Sequence, residues 1–101
     1  MPKKEWTVAF GGFALIVRRT TSKGKMIEFA VILVAFLSGK WQDITRYDTA
    51  HGTPHRDILG VNQGLRFKRW MDNIKFAEAF DYAIRDCTEN AESHLADFLA
   101  H

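Results

Sequence analysis

Two histidines four positions apart, His51 and His55, sit in a twelve-residue stretch that also holds Arg46, Asp48, Arg56 and Asp57 (RYDTAHGTPHRD, residues 46–57). Imidazoles titrate near neutral pH, so such a pair can serve as general base and general acid. An arginine can stabilise charge developing on a phosphate, and an aspartate can orient a histidine. The chemistry this predicts is metal-independent phosphodiester cleavage. RNA suits it because the 2′-hydroxyl supplies an internal nucleophile.

Two other readings fit the same residues. His51 and His55 with Asp48 or Asp57 are ligand types that a divalent metal accepts. A His-x-x-x-His pair is informative on a helix, where the two share a face. Here Gly52 and Pro54 lie between them, so no metal ligand and no cofactor is assigned. In the third reading the stretch is a polar turn held by Arg–Asp pairs.

A second stretch, GLRFKRW (residues 64–70), mixes Arg66, Lys68 and Arg69 with Phe67 and Trp70. Basic groups there can meet phosphates while the rings stack on unpaired bases. The alternative is a connector whose aromatics pack under the sheet. His94 flanks the apolar face of a C-terminal helix, and His101 is the last residue.

The elements that must position these residues can be read from periodicity. WTVAF and FALIVRRTT flank Gly11-Gly12, which reads as a bulge or bend within one long strand region. The SKG and SGK triplets at residues 22–24 and 38–40 read as tight turns on either side of a long, apolar third run. WQDITRYD then alternates as a half-buried strand. Strict alternation puts Gln42, Ile44, Arg46 and Asp48 on one face, with Trp41, Thr45 and Tyr47 on the other. ILG after Asp57 reads as a short further strand. If it doubles back on the strand before it, His51, His55 and Asp57 come close to Arg46 and Asp48.

Beyond residue 73 the period changes. Ala77, Phe80, Ile84, Cys87, Ala91, Leu95 and Phe98 recur every three or four residues, which predicts one amphipathic helix over about 74–99. Residues 88–90 are its weak spot. The predicted fold is α+β: an antiparallel β-meander of three to four strands packed against a long C-terminal α-helix. It forms one domain over 1–101, with sheet at about 5–60, connector at 61–73 and then the helix.

Composition sets outer bounds. At 101 residues and 47% hydrophobic, the chain reads as globular. The single cysteine excludes an internal disulfide and fits a reducing, cytoplasmic setting. The apolar run at residues 29–37 is about half of what a membrane-spanning helix needs, so no membrane association is expected. The net charge of +2 hides an asymmetry: residues 1–70 carry +7 and residues 71–101 carry −5. A basic sheet half beside an acidic helical half can offer a positive face to RNA, or the two halves can simply attract each other.

At RYDTAHGTPHRDILG the sequence resembles a group of small uncharacterised prokaryotic proteins. These join a β-meander to an Arg-Tyr-Asp-x-x-His-Gly-x-x-His turn and a C-terminal helix. It is similar, more distantly, to TumE-type toxins of toxin–antitoxin pairs. The resemblance marks Arg46, Tyr47, Asp48, His51, Gly52 and His55. Thr49 stands where the toxin pattern has Asn, and Arg56-Asp57 where a further His is usual. The resemblance implies the fold and the location of the site more than a reaction. The first hypothesis it is joined to is a toxin-like protein acting on RNA, with a cognate antitoxin or a homodimer as candidate partner. On this reading His51 and His55 are the acid/base candidates, Arg46 and Arg56 the phosphate contacts, and Asp48 or Asp57 the orienting carboxylate. The alternative class is a non-enzymatic protein–protein interaction module.

Overall fold

A computed structural model describes residues 2–101. Six strands follow one another in the chain: β1 (Lys3–Phe10), β2 (Phe13–Ser22), β3 (Lys25–Leu37), β4 (Lys40–Asp48), β5 (His55–Gly60) and β6 (Gly64–Trp70). Two helices close the chain, α1 (Phe76–Glu89) and α2 (Ala91–Leu99). The sheet order is β1-β2-β3-β4-β5-β6, and every neighbouring pair is antiparallel.

The α+β class stands, but the meander has six strands rather than three to four. Gly11-Gly12 is not a bend within a strand. It is a hairpin turn that sets Phe10 opposite Phe13, and a full antiparallel ladder runs back from there. Residues 64–70, expected as connector, form β6 and pair with β5. The two turns expected at residues 22–24 and 38–40 are present. Each carries two consecutive positive-φ residues, Lys23-Gly24 and Ser38-Gly39. That geometry matches the right-handed twist of the strands it joins.

The single long helix is also corrected. Asn90 leaves the helical region at φ −116° and ends α1, with its N–H on the Asp86 carbonyl, and α2 starts afresh at Ala91. Side chains at Ala79, Phe80, Ala83 and Cys87 bury on α1, with Ala91 and Phe98 on α2. Ala77, placed on the apolar face by spacing alone, is exposed.

Both helices lie on one face of the sheet. There Phe13, Leu15 and Val17 of β2, Phe29, Val31 and Leu33 of β3, and Tyr47 of β4 join Phe80, Ala83 and Cys87 in one core. Phe29 and Phe80 meet edge to face at 5.6 Å, and Trp6 reaches Phe80 at 6.4 Å, so α1 is anchored across β1 and β3. Each aliphatic side chain buried here contributes on the order of 1.5–3 kcal/mol.

A bulge interrupts the β3–β4 pairing between Leu33 and Val34. Ile44 therefore joins the same core as Tyr47, whereas strict alternation puts the two on opposite faces. The uncovered face carries the alternate residues, including Ile32, Arg46, Asp57 and Lys68 along one cross-strand row.

Candidate functional sites on the two faces of the sheet

The β4–β5 hairpin does double back, with Asp48 opposite His55 and Arg46 opposite Asp57. Alternation then sorts the motif onto two faces. Arg46, Asp48, His55 and Asp57 share the uncovered face. Tyr47 and Arg56, each one position along, share the helix-covered face.

On the uncovered face His55 is 1% exposed. Its Nδ1 lies 3.1 Å from the Thr53 carbonyl oxygen. Its Nε2 faces Asp48 Oδ1 at 3.0 Å and Asp57 Oδ1 at 3.6 Å. Asp57 is itself buried and meets two cations: Lys68 Nζ at 2.7 Å on Oδ1 and Arg46 Nη2 at 3.2 Å on Oδ2. Asp48 also accepts the Ala50 N–H at 2.9 Å, which ties the strand end to the tight helical turn at Ala50–Gly52. Trp70 covers the imidazole at 4.9 Å. Asp48, His55 and Asp57 are the residues here that could hold a metal ion, their ligand atoms all within 4.8 Å of one another.

His51 does not join them. It sits in the helical turn with φ +68°, is exposed, and takes no part in the hydrogen bonds of the cluster. The structure thus brings together four of the six expected residues and leaves out His51 and Arg56. Lys68, singled out in the sequence as a nucleic-acid contact, pairs with Asp57 in this cluster.

On the covered face Arg56 begins a second network. Its Nε donates to Thr45 Oγ1 at 2.9 Å and its Nη2 to His94 Nδ1 at 3.1 Å. A guanidinium only donates, so Nδ1 of His94 is the acceptor and the ring proton sits on Nε2. That Nε2–H points at Asp86 Oδ2, 2.9 Å away. The Tyr47 hydroxyl donates to the same oxygen at 2.7 Å, and Asn90 Nδ2 donates to Oδ1 at 2.8 Å.

Burial works to raise the Asp86 carboxyl, but the donors His94, Tyr47 and Asn90 outweigh it and hold the group well below the usual carboxylate range. Burial, reinforced by Asp86, raises the Tyr47 phenol far above its ordinary value. Asp86 and His94 thus form a carboxylate-oriented imidazole, the arrangement that prepares a histidine for proton transfer.

Beside His94, between β5–β6 and α2, lies a cleft of about 290 Å³ lined by Arg56, Arg66, Arg69 and Ser93 among others. Arg66 is tied to Asp97 at 2.8 Å. Among the described residues, Arg56 and Arg69 have no carboxylate partner. A smaller cleft of about 180 Å³ on the other side of Arg56 and Arg69 is lined by Tyr47, Trp70 and Tyr82. Two cations without counter-ions beside an oriented histidine make a place for an anion.

A family model matches residues 1–101. The chain belongs to the DUF7718 family. The family is described as a domain of unknown function. No curated protein and no solved structure matches this DUF7718 chain. Among the described residues, no helix is long and apolar enough to cross a membrane.

Of the residues in this second network, Asp86 goes unmarked in the sequence, Tyr47 is marked only through the resemblance, and His94 is noted only as flanking the apolar helix face. Their meeting depends on where α1 lies over β4 and on the break at Asn90, neither of which spacing reveals. Lys68 joins the cluster through the β5–β6 register, which sets it opposite Asp57 only because residues 64–70 form a strand rather than a connector.

Proposed function

We propose that this chain is a small RNA-directed protein of toxin-like ribonuclease type, binding the phosphate backbone in the cleft between β6 and α2. One observation carries the reading: Arg56 and Arg69, without carboxylate partners among the described residues, line the same wall as the Asp86-oriented His94. Phosphate would take the place of counter-ion to both arginines. Phe67 and Tyr82 are exposed beside them and offer rings for base stacking.

In the free protein Arg56 covers the Nδ1 lone pair of His94. Drawing Arg56 onto a phosphate would uncover that lone pair as a general base. It would accept the proton of the 2′-hydroxyl as the 2′-oxygen attacks phosphorus and the P–O5′ bond breaks, with water protonating the leaving oxygen. This reading moves the acid/base role from His51 and His55 to His94. A reducing, cytoplasmic location suits the free, buried Cys87.

A second reading rests on Phe36 and Trp41. Both are about half exposed on the uncovered face and meet edge to face at 5.4 Å. Such a pair favours a protein partner, either an antitoxin or a second copy.

The test is anisotropy of a labelled single-stranded RNA, with gel readout of cleavage in EDTA. Arg56→Ala/Arg69→Ala should weaken binding about tenfold and flatten the salt slope by roughly 1.4. His94→Ala should bind but not cleave, and His51→Ala should do both. Unchanged RNA affinity in the double arginine variant would remove the proposal.

A further inference from the structure

We propose that Asp48, His55 and Asp57, on the face opposite the RNA cleft, bind a divalent transition-metal ion. The site is independent of the RNA reading and leaves out His51.

The argument begins with where protons can be. The Thr53 carbonyl oxygen is only an acceptor, so the hydrogen on His55 belongs on Nδ1. This is how ligating histidines are commonly held, one nitrogen donating to a backbone carbonyl and the other left bare. The bare Nε2 then faces two carboxylate oxygens, at 3.0 and 3.6 Å. Three lone-pair-bearing atoms converge in a place where the ring is 1% exposed. Something must lie between Nε2 and Asp48 Oδ1, either a ring proton or a metal ion.

The spacing fits a metal. For ligand atoms about 2.1 Å from the ion, a cis octahedral pair lies about 3.0 Å apart and a tetrahedral pair about 3.4 Å. The two separations from Nε2 fall close to these, and the three ligand atoms lie within 4.8 Å of one another. One imidazole with two carboxylates suits a first-row ion such as Zn²⁺ or Mn²⁺ better than Ca²⁺, which prefers oxygen alone.

Access is from the Asp48 side. Its side chain is one-quarter exposed and lines a cleft of about 330 Å³ with Arg18, Thr20, Glu28 and Ala50. The remaining coordination positions would be filled from that cleft by water or an anion. Lys68 competes: its Nζ already lies 2.7 Å from Asp57 Oδ1, the same oxygen that faces His55. Metal binding must displace that ammonium, which remains free to meet an anion on the ion.

The competition gives the experiment its sign. Titrate the full chain with Zn²⁺ or Mn²⁺ alone at pH 7, using calorimetry and histidine ¹⁵N shifts. The expected result is one equivalent bound, with the His55 Nε2 resonance shifted. Lys68→Gln, at a partly exposed position on an edge strand, should tighten binding roughly tenfold by removing the competing charge. Asp48→Asn should weaken it at least tenfold, and His51→Ala should leave it unchanged. No saturable binding to either wild type or Lys68→Gln would assign the position to a ring proton and overturn the proposal. Loss of binding in His51→Ala would overturn it as well, by tracing the metal to an exposed histidine.

Discussion

Replacing Asp86 by Asn should weaken three charge-assisted bonds at once and turn an NH₂ toward at least one of the donors. The Tyr47 hydroxyl, the His94 Nε2–H and the Asn90 amide all converge on its carboxylate, at 2.7, 2.9 and 2.8 Å. An Asn side chain has a single acceptor oxygen, and its own NH₂ points a donor at donors. Tyr47 is 2% exposed, so its hydroxyl has no ready water in exchange. An orphaned buried polar group costs about 1–3 kcal/mol, and donors lost from a charged acceptor cost toward the upper end. With His94 counted as well, the loss is about 3–5 kcal/mol. For a chain near 100 residues that lowers Tm by on the order of 20 °C.

The pH dependence gives a second handle. The donors hold the folded-state carboxyl below its ordinary value, so the folded protein binds that proton more weakly than the unfolded chain does. Its contribution is complete above the ordinary carboxyl value of about 4 and is lost as pH falls toward the folded one. Urea unfolding of wild type and Asp86→Asn, followed by tryptophan fluorescence, should show a wide gap at pH 7 that narrows by pH 3. A gap under about 0.5 kcal/mol at pH 7, typical of a plain surface change, would refute the network. So would a gap that ignores pH.

Two further outcomes concern packing. A Cβ at Gly60 would lie 2.9 Å from the backbone carbon and oxygen of His101. Gly60→Ala should therefore cost about 1–3 kcal/mol, and deleting His101 should restore most of it, as thermal melts of the four chains would report. Cys87 is fully buried, and burial with the nearby Asp86 charge pushes its thiol up to about 12. It should resist an aromatic disulfide reagent at pH 8 in the folded state and react in denaturant. Rapid reaction of folded protein would mean that α1 opens off the sheet.

Much of the hairpin framework can be read from the sequence, because Lys23-Gly24 and Ser38-Gly39 flank runs too apolar to be anything but core. Gly11-Gly12 is ambiguous for a physical reason: a glycine pair serves a bulge and a hairpin equally well, and apolar runs of similar character lie on both sides. β6 escapes notice because an edge strand need not alternate cleanly; Leu65, Phe67 and Trp70 are all exposed. The helix break at Asn90 leaves the three-to-four spacing intact across Ala91, so periodicity runs through it.

The uncovered-face cluster was legible once β4 and β5 were paired, as alternation alone aligns Arg46, Asp48, His55 and Asp57. The same rule sends Arg56 to the other face, one residue from two members of the cluster. The Asp86–His94 pair was not legible. It joins residues eight apart across a break, and Tyr47 from a strand 39 positions earlier.

Because each strand pairs with its predecessor, the sheet can assemble hairpin by hairpin in the order the residues leave the ribosome. Such short loop closures favour fast β pairing. The helices come last, so Val17, Val31 and Leu33 on the finished sheet stay uncovered until α1 arrives. During synthesis the nascent sheet therefore offers a broad apolar surface to chaperones and to other nascent chains. Variants that weaken α1 docking should reduce the yield of soluble protein before they alter the sheet itself.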